Sequence, residues 1–437
     1  MKFKQLIFSS LFWRGLYFVT VLLLNIVVSR FFGAKESGWI YYIVNYFSFI
    51  LLVSSFCLES GMTFFASKES IPGTQLAIFS LLWTVLVSIL LVLLLFSWYH
   101  HPGQEFTRSQ FIYFAITYTP GVLLTTFFCA LFYAQQDYSL PNIILAAGNL
   151  LLILSIPIAV YFGKPEQLHA VFLKLYFISY TAQGLALSFA YLRKNKAHGR
   201  WVLPGMPQLK LLFRYSYLAL FSNIVFFLLY RIDYWFVKNM CQSCNEGDLG
   251  NYIQVSKLGQ MFLLVPTVIA STIFPRTAAG FKEQVNSWLP VLSKIILFFY
   301  LLIILFLIVT GQWLFSWVYG ASFNHMYQPF ILLIPGILSL SVIALVTAYN
   351  AGKDKVKTNM IGSVIGLVVI VAGDWLFIPG YGITAAAAVS SIGYIAYLVY
   401  LLHIFNKEYK VPLKDFFIPV SADKEKLKKI FSSHEKN

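Results

Sequence analysis

The chain has 437 residues, of which 59% are hydrophobic, 18% aromatic and only 11% charged, where an ordinary soluble domain carries roughly a quarter charged. Twelve crossings at about 20 to 24 apolar residues each leave only short connections, which excludes a soluble catalytic domain of ordinary size. The formal charge of +15, from 32 basic and 17 acidic residues, would suggest nucleic acid in a soluble protein. In a polytopic membrane protein it first reports orientation, so no nucleic-acid partner is expected.

Apolar runs of spanning length fall at 6–31, 38–61, 75–98, 110–133, 141–162 and 169–192, and again at 211–237, 249–274, 287–310, 327–350, 357–378 and 382–405. The first run follows Lys2 and Lys4 but continues to Phe32 without a small-residue cleavage site, so it reads as a retained helix rather than a signal peptide. Separators such as Ile71-Pro72-Gly73, His101-Pro102-Gly103, Gly163-Lys164-Pro165 and Pro379-Gly380-Tyr381-Gly382 carry turn chemistry. The basic, proline-containing connection 193–210 stands at the midpoint. The expected organisation is an N-terminal six-helix lobe over 1–192, a linker over 193–210, a C-terminal six-helix lobe over 211–405 and a basic tail over 406–437. That tail is expected to form a short helix or a disordered segment on the cytoplasmic surface, in contact with anionic lipid.

Thirteen cations lie on the alternate loops that share a side with the N-terminus, and four (Lys35, Arg108, Lys164 and Lys238) lie on the opposite loops. This bias places both termini in the cytoplasm. An internal echo supports two halves: Glu36-Ser37-Gly38-Trp39 is matched by Asp248-Leu249-Gly250-Asn251, and Tyr133-Ala134-Gln135-Gln136-Asp137 by Asn350-Ala351-Gly352-Lys353-Asp354. With six helices per half the repeats are parallel, and any substrate path is expected between them.

Ionisable groups inside a membrane cost at least a few kcal/mol and default to functional hypotheses. Arg30, Arg214, Lys294, Glu59 and Asp374 lie near enough to span ends to snorkel, which leaves Arg14, Lys174, Arg231, Asp233 and Lys257. Arg14 sits ~12 Å into the first helix and shares a stripe with Phe18, Val21 and Asn25, which suggests a bundle interior; the alternative is snorkelling. Lys174 on helix six has the same two readings. Asp233 is expected to pair with Arg231 or Lys257, and the polar residues Asn223, Tyr230 and Gln254 lie on the same two helices. Four cations to one carboxylate suit an anionic cargo, because guanidinium and ammonium groups bind phosphate through charge-assisted hydrogen bonds.

Other patterns are spare. Cys241 and Cys244 fall in one outer loop, where a disulfide or two free thiols fit better than a metal, since a single CxxC lacks four ligands. His100 and His101 have no nearby ligand partners, and no phosphate-loop, HExxH or GxSxG motif is present. No metal, cofactor or ATP hydrolysis is expected.

Along almost the whole chain, 5–405, the residues carry a further pattern. Ser29-Arg30-Phe31-Phe32-Gly33-Ala34-Lys35-Glu36-Ser37-Gly38 resembles the first-loop signature of polysaccharide exporters. Arg231-Ile232-Asp233, Leu249-Gly250-Asn251-Tyr252 with Pro266 and Phe274-Pro275-Arg276, Tyr319-Gly320, Ala351-Gly352-Lys353 and Tyr381-Gly382-Ile383-Thr384-Ala385-Ala386 follow in the order of that family. The resemblance is to Wzx-type oligosaccharide (O-antigen) flippases of the MOP superfamily, which share a fold with MATE multidrug exporters. It implies an all-α protein of twelve transmembrane helices in a V-shaped pair of lobes, working by alternating access and without enzymatic activity. The implied cargo is an undecaprenyl-pyrophosphate-linked oligosaccharide moved to the outer leaflet of a bacterial inner membrane. A polysaccharide polymerase and chain-length proteins are the further partners it suggests. The alternatives are a cation-coupled multidrug exporter, disfavoured because helix one has no carboxylate, and a membrane glycan polymerase or ligase, disfavoured by short outer loops.

Overall fold

The structure, a computed structural model, describes residues 3–98, 108–162, 165–196, 202–278, 282–419 and 423. His100, His101, Lys164, Arg200 and the tail from 424 onward lie outside them. The described residues are almost wholly helical: α1 (Phe3–Ser55), α2 (Leu58–Ser67), α3 (Gly73–Trp98), α4 (Arg108–Ala134), α5 (Ser139–Phe162), α6 (Pro165–Lys194), α7 (Met206–Met240), α8 (Asp248–Phe262), α9 (Leu264–Ala278), α10 (Lys282–Tyr319), α11 (Tyr327–Gly352) and α12 (Val356–Tyr409). Short 3-10 turns cover Ala321–Met326 and Leu413–Phe416.

These helices do not coincide one for one with the apolar runs. At 53 and 54 residues, α1 and α12 are each ~80 Å of helix, far more than a ~30 Å hydrocarbon core needs. Each is interrupted at one glycine, Gly33 (φ 70, ψ 177) and Gly382 (φ 60, ψ −140), in backbone regions that a Cβ disfavours. The second apolar run is broken again, at Phe56 and Cys57, both left-handed, and the run 249–274 is divided at Leu263 into α8 and α9. Among the described residues, nine helical stretches are long and apolar enough to cross a membrane.

Surface chemistry agrees with that. On α3, Val85, Ile89, Leu90, Leu93 and Leu94 all face outward, and on α10 Val309 is 83% exposed. In water this would be an aggregation hazard; in hydrocarbon it is the lipid face, and helices satisfy their own backbone there.

The contacts divide the chain into two units, one comprising 1–32 with 43–224 and the other 33–42 with 225–437. The division falls inside α7. In the first unit α4 packs along α6, with Gly121 and Gly184 against the facing backbone, and small residues permit such close approach. An aromatic cluster of Phe47, Phe111, Phe114, Tyr118 and Phe177 fills the space beside it, with Phe114 and Phe177 stacked at 4.4 Å. In the second unit α11 packs along α12 and α9, and Ser391 Oγ donates to the Leu332 carbonyl at 2.6 Å while accepting from the Gly336 N–H at 3.2 Å.

Two features of the second unit bear on the sequence reading. Segment 33–42 packs on α8 so closely that a Cβ on Gly38 would stand 2.5 Å from the Gly250 Cα; the two echoing glycines touch. The start of the tail is ordered: Phe416 is buried against Phe405, and Asp423 accepts from Lys294 at 2.6 Å. Lys294 is therefore buried and paired rather than snorkelling.

Candidate functional site

Arg231 and Asp233 stand two residues apart on α7, about 200° around the helix, and so meet different neighbours. The Asp233 carboxylate is buried and accepts from the Tyr252 hydroxyl, from Ser390 Oγ at 3.2 Å and from the Tyr234 N–H at 2.9 Å. Among the described residues it makes no direct ion pair, although the Arg231 charge still acts on it; its direct partners are the hydroxyls of α8 and α12, which lie on its side of α7.

Sequence reasoning missed a second carboxylate near it. Asp374 on α12 is fully buried, neither of its oxygens has a hydrogen-bond partner, and it interacts electrostatically with Asp233. It does not snorkel. Two carboxylates at one low-dielectric site repel when both are ionised, and the Arg231 charge offsets only part of that, so the pair suits the sharing of a proton. The available signal was that Asp374 is the sole acidic residue between 355 and 407. No group of three or more metal-ligating side chains is present among the described residues.

The other face of α7 is basic. Arg231 lies over Phe227, 5.5 Å from the ring centroid, and donates to Gln260 Oε1 at 3.5 Å. Lys257 on α8 is half-buried over the Tyr41 ring, 2.9 Å from its centroid, and close enough to Arg231 for the two charges to repel. Gln254, one turn before Lys257, is buried. Tyr230 turns from this face towards Tyr394, ring centroids 5.9 Å apart. Two like charges held together by aromatic contacts form a surface that an anion stabilises.

In the first unit, Arg14 lies over Tyr133 and Tyr138, 4.6 and 5.2 Å from the ring centroids, which are themselves stacked. Its Nε is buried without a hydrogen-bond partner, and no described carboxylate lies within ion-pair distance. The tyrosines flank the turn after α4, where Asp137 accepts from Lys194 at 2.6 Å, Ser139 at 3.0 Å and the Leu140 N–H at 3.2 Å. Burial acts to raise the Asp137 carboxyl, but these bonds outweigh it and hold it below its ordinary value.

The remaining sequence candidates scatter. Asn25 is buried on α1, although Phe18 from the same stripe is 43% exposed. Asn223 donates to Cys57 Sγ at 3.2 Å beside the break between α1 and α2, where Glu59 keeps one buried oxygen without a partner. The Lys174 side chain is exposed on α6. Cys241 and Cys244 are joined in a disulfide.

With this geometry in hand, the solved structures are informative. An inward-facing multidrug resistance MATE family transporter of the MOP superfamily superposes with a TM-score of 0.69 at 14% identity, covering 91% of this chain and 95% of that one. The lipid II flippase MurJ in an inward closed conformation gives 0.72 at 15% identity, over 98% and 92%. A MOP superfamily transporter from Pyrococcus furiosus, described as having a binding pocket of reversed polarity, gives 0.64 at 16% identity, over 96% and 95%. No family model and no curated protein matches the sequence. The chain has the fold of MOP superfamily transporters and is a multi-pass membrane protein.

Proposed function

We propose that the chain is a flippase for lipid-linked oligosaccharide, of the Wzx type that the motif order resembles, moving undecaprenyl-pyrophosphate-linked glycan from the inner to the outer leaflet of a bacterial inner membrane by alternating access. Both termini are cytoplasmic in this reading, and α1 and α12 each cross twice at their glycine breaks. With α6 added to the nine candidate spans, that reaches twelve crossings. The observation that carries the proposal is that Arg231 and Lys257 lie over the rings of Phe227 and Tyr41, while the direct hydrogen bonds of the neighbouring carboxylate go to Tyr252, Ser390 and its own helix. Moving a pyrophosphate through hydrocarbon desolvates it, and buried cations offset that cost. The first unit has a basic group of its own in Arg14, held in its tyrosine cage.

The test is to replace Arg14 and Arg231 with alanine, separately, in cells that depend on this chain for surface polysaccharide. Loss of polysaccharide at normal protein levels supports the reading, and unchanged polysaccharide removes it. A cation-coupled multidrug exporter remains the second reading, favoured by the Asp233 and Asp374 pair, which suits ion coupling. Efflux of a cationic dye from cells making this chain would support the exporter and count against the flippase.

A further inference from the structure

Away from the charged faces of α7, the second unit holds a pocket of about 560 Å³ at its disulfide end, within the size range of small-molecule sites. Its walls come from three separate places. The Cys241 to Cys244 loop is seated on the α12 break, where a Cβ on Gly382 would stand 3.2 Å from Ser243 Oγ and 3.3 Å from both sulfurs. Asp248 at the start of α8 ties this loop to the 3-10 turn, accepting from the Asn245 N–H at 2.8 Å and meeting His325 Nδ1 at 2.7 Å. Gln312 near the end of α10 and Gln328 at the start of α11 close the far side.

The lining chemistry is unlike that of Arg231 and Lys257. Neither lysine nor arginine lines the pocket, and its one carboxylate is already engaged with His325. Gln312, Asn324 and Gln328 carry amides that make no side-chain hydrogen bonds among the described residues, and Tyr381 presents a ring that is 72% exposed. Planar amides that each offer a donor and an acceptor, beside an exposed aromatic face and with no net cation, suit a neutral polyhydroxylated ring. They suit a phosphate poorly.

We propose that this pocket is a saccharide subsite, binding an uncharged sugar of the cargo glycan. The inference rests on the flippase reading and refines it: the basic face takes the anion, the amide-lined pocket takes a sugar. Lys257 stands nine residues along α8 from Asp248, ~14 Å of helix, so one rigid element fixes the spacing of the two sites.

The test uses the full chain in lipid nanodiscs and the free oligosaccharide released by mild acid from the lipid-linked pool of the producing cell, read by saturation-transfer NMR. Saturation of sugar-ring protons is expected, with affinity about tenfold weaker for the Asn324→Ala, Gln328→Ala double variant, as two lost hydrogen bonds imply, and undiminished by equimolar inorganic pyrophosphate. Gln312→Ala alone should weaken binding less. All three positions are exposed, so equal melting temperatures are expected and make the comparison valid. Absence of saturation with the wild-type chain, equal binding by the double variant, displacement by pyrophosphate, or binding of peptidoglycan fragments in preference to the released glycan would each overturn the subsite. Leaflet translocation of the intact lipid-linked oligosaccharide, measured in the same preparations, separates the two ideas. Its absence alongside sugar binding removes the flippase reading, and its presence without sugar binding removes only the pocket.

Discussion

The two faces of α7 hold opposite charges by opposite means. Asp233 is fully buried and surrounded by three donors, from Tyr252, Ser390 and its own helix; Arg231 and Lys257 are half-buried and rest on aromatic rings. The first arrangement ties a carboxylate into the packing of α7, α8 and α12. The second rests two cations on aromatic rings, with Arg231 also donating to Gln260 Oε1 at 3.5 Å, and ring faces hold a cation without neutralising its charge. Position in the fold, two residues apart on one helix, thus separates a fully buried carboxylate from a half-buried guanidinium.

The largest effect expected from this contrast is on transport. Arg231→Ala and Lys257→Ala should each lower the rate of glycan translocation about 10- to 100-fold, the size of one lost hydrogen bond to a charged group, while shifting stability by no more than the lost ring contact, about 0.5 to 2 kcal/mol. Translocation rates set against melting temperatures check this; a parallel fall in both would erase the distinction between the two faces.

The next effect is on stability. Asp233→Ala strands the Tyr252 and Ser390 hydroxyls in the core and should cost about 1 to 3 kcal/mol. Asp374→Leu removes a buried carboxylate that no donor satisfies and should be neutral or stabilising, while abolishing any dependence of transport on a proton or cation gradient. Melting temperatures in detergent test the first pair of outcomes, and transport with and without an imposed gradient tests the last. If both variants melt alike, the assignment of Asp233 as the structural member and Asp374 as the exchangeable one fails.

A smaller effect belongs to the Arg14 cage. Replacing Tyr138 with leucine leaves the packing largely intact but removes one of two cation–π contacts, about 0.5 to 2 kcal/mol. It should lower translocation several-fold without reaching the loss caused by Arg14→Ala. The smallest concerns Asp137. Its carboxyl is held below the ordinary value, so the contribution of its pair with Lys194 is present above the unfolded pKa of ~3.9 and is lost as pH falls through the lower folded value. Asp137→Asn should therefore cost about 1 kcal/mol or less at pH 7, with the difference from wild type closing below about pH 4. Acid unfolding profiles of the two chains check it.

How much of this was legible depended on whether the signal was local. Apolar runs and turn residues are carried by neighbouring residues, so the spans and the break at Gly382 could be anticipated in kind, whereas the echo of Gly38 in Gly250 gave no sign that the two glycines touch. Asp374 could not be anticipated. Its distance from a predicted span end suggested snorkelling, whereas α12 continues past it to Gly382 and packs it beside α7. The direct partners of Asp233, Tyr252 and Ser390, were missed for the same reason, since helical spacing says which way a side chain points but not which neighbour stands there.

By itself, then, the sequence determined that this is an all-helical membrane protein, because no other use of so many long apolar runs satisfies the backbone, and it located the basic residues that membrane burial makes expensive. Only the tertiary structure decided which charges meet. It set Asp233 near Asp374 as well as near Arg231, brought Arg231 to Lys257, caged Arg14 between two tyrosines, and assembled an amide-lined pocket from segments up to 141 residues apart in the chain, from Ser243 to Thr384. Those choices follow from packing between distant segments, whose energies depend on the summed fit of many side chains and leave no mark in any single stretch of sequence.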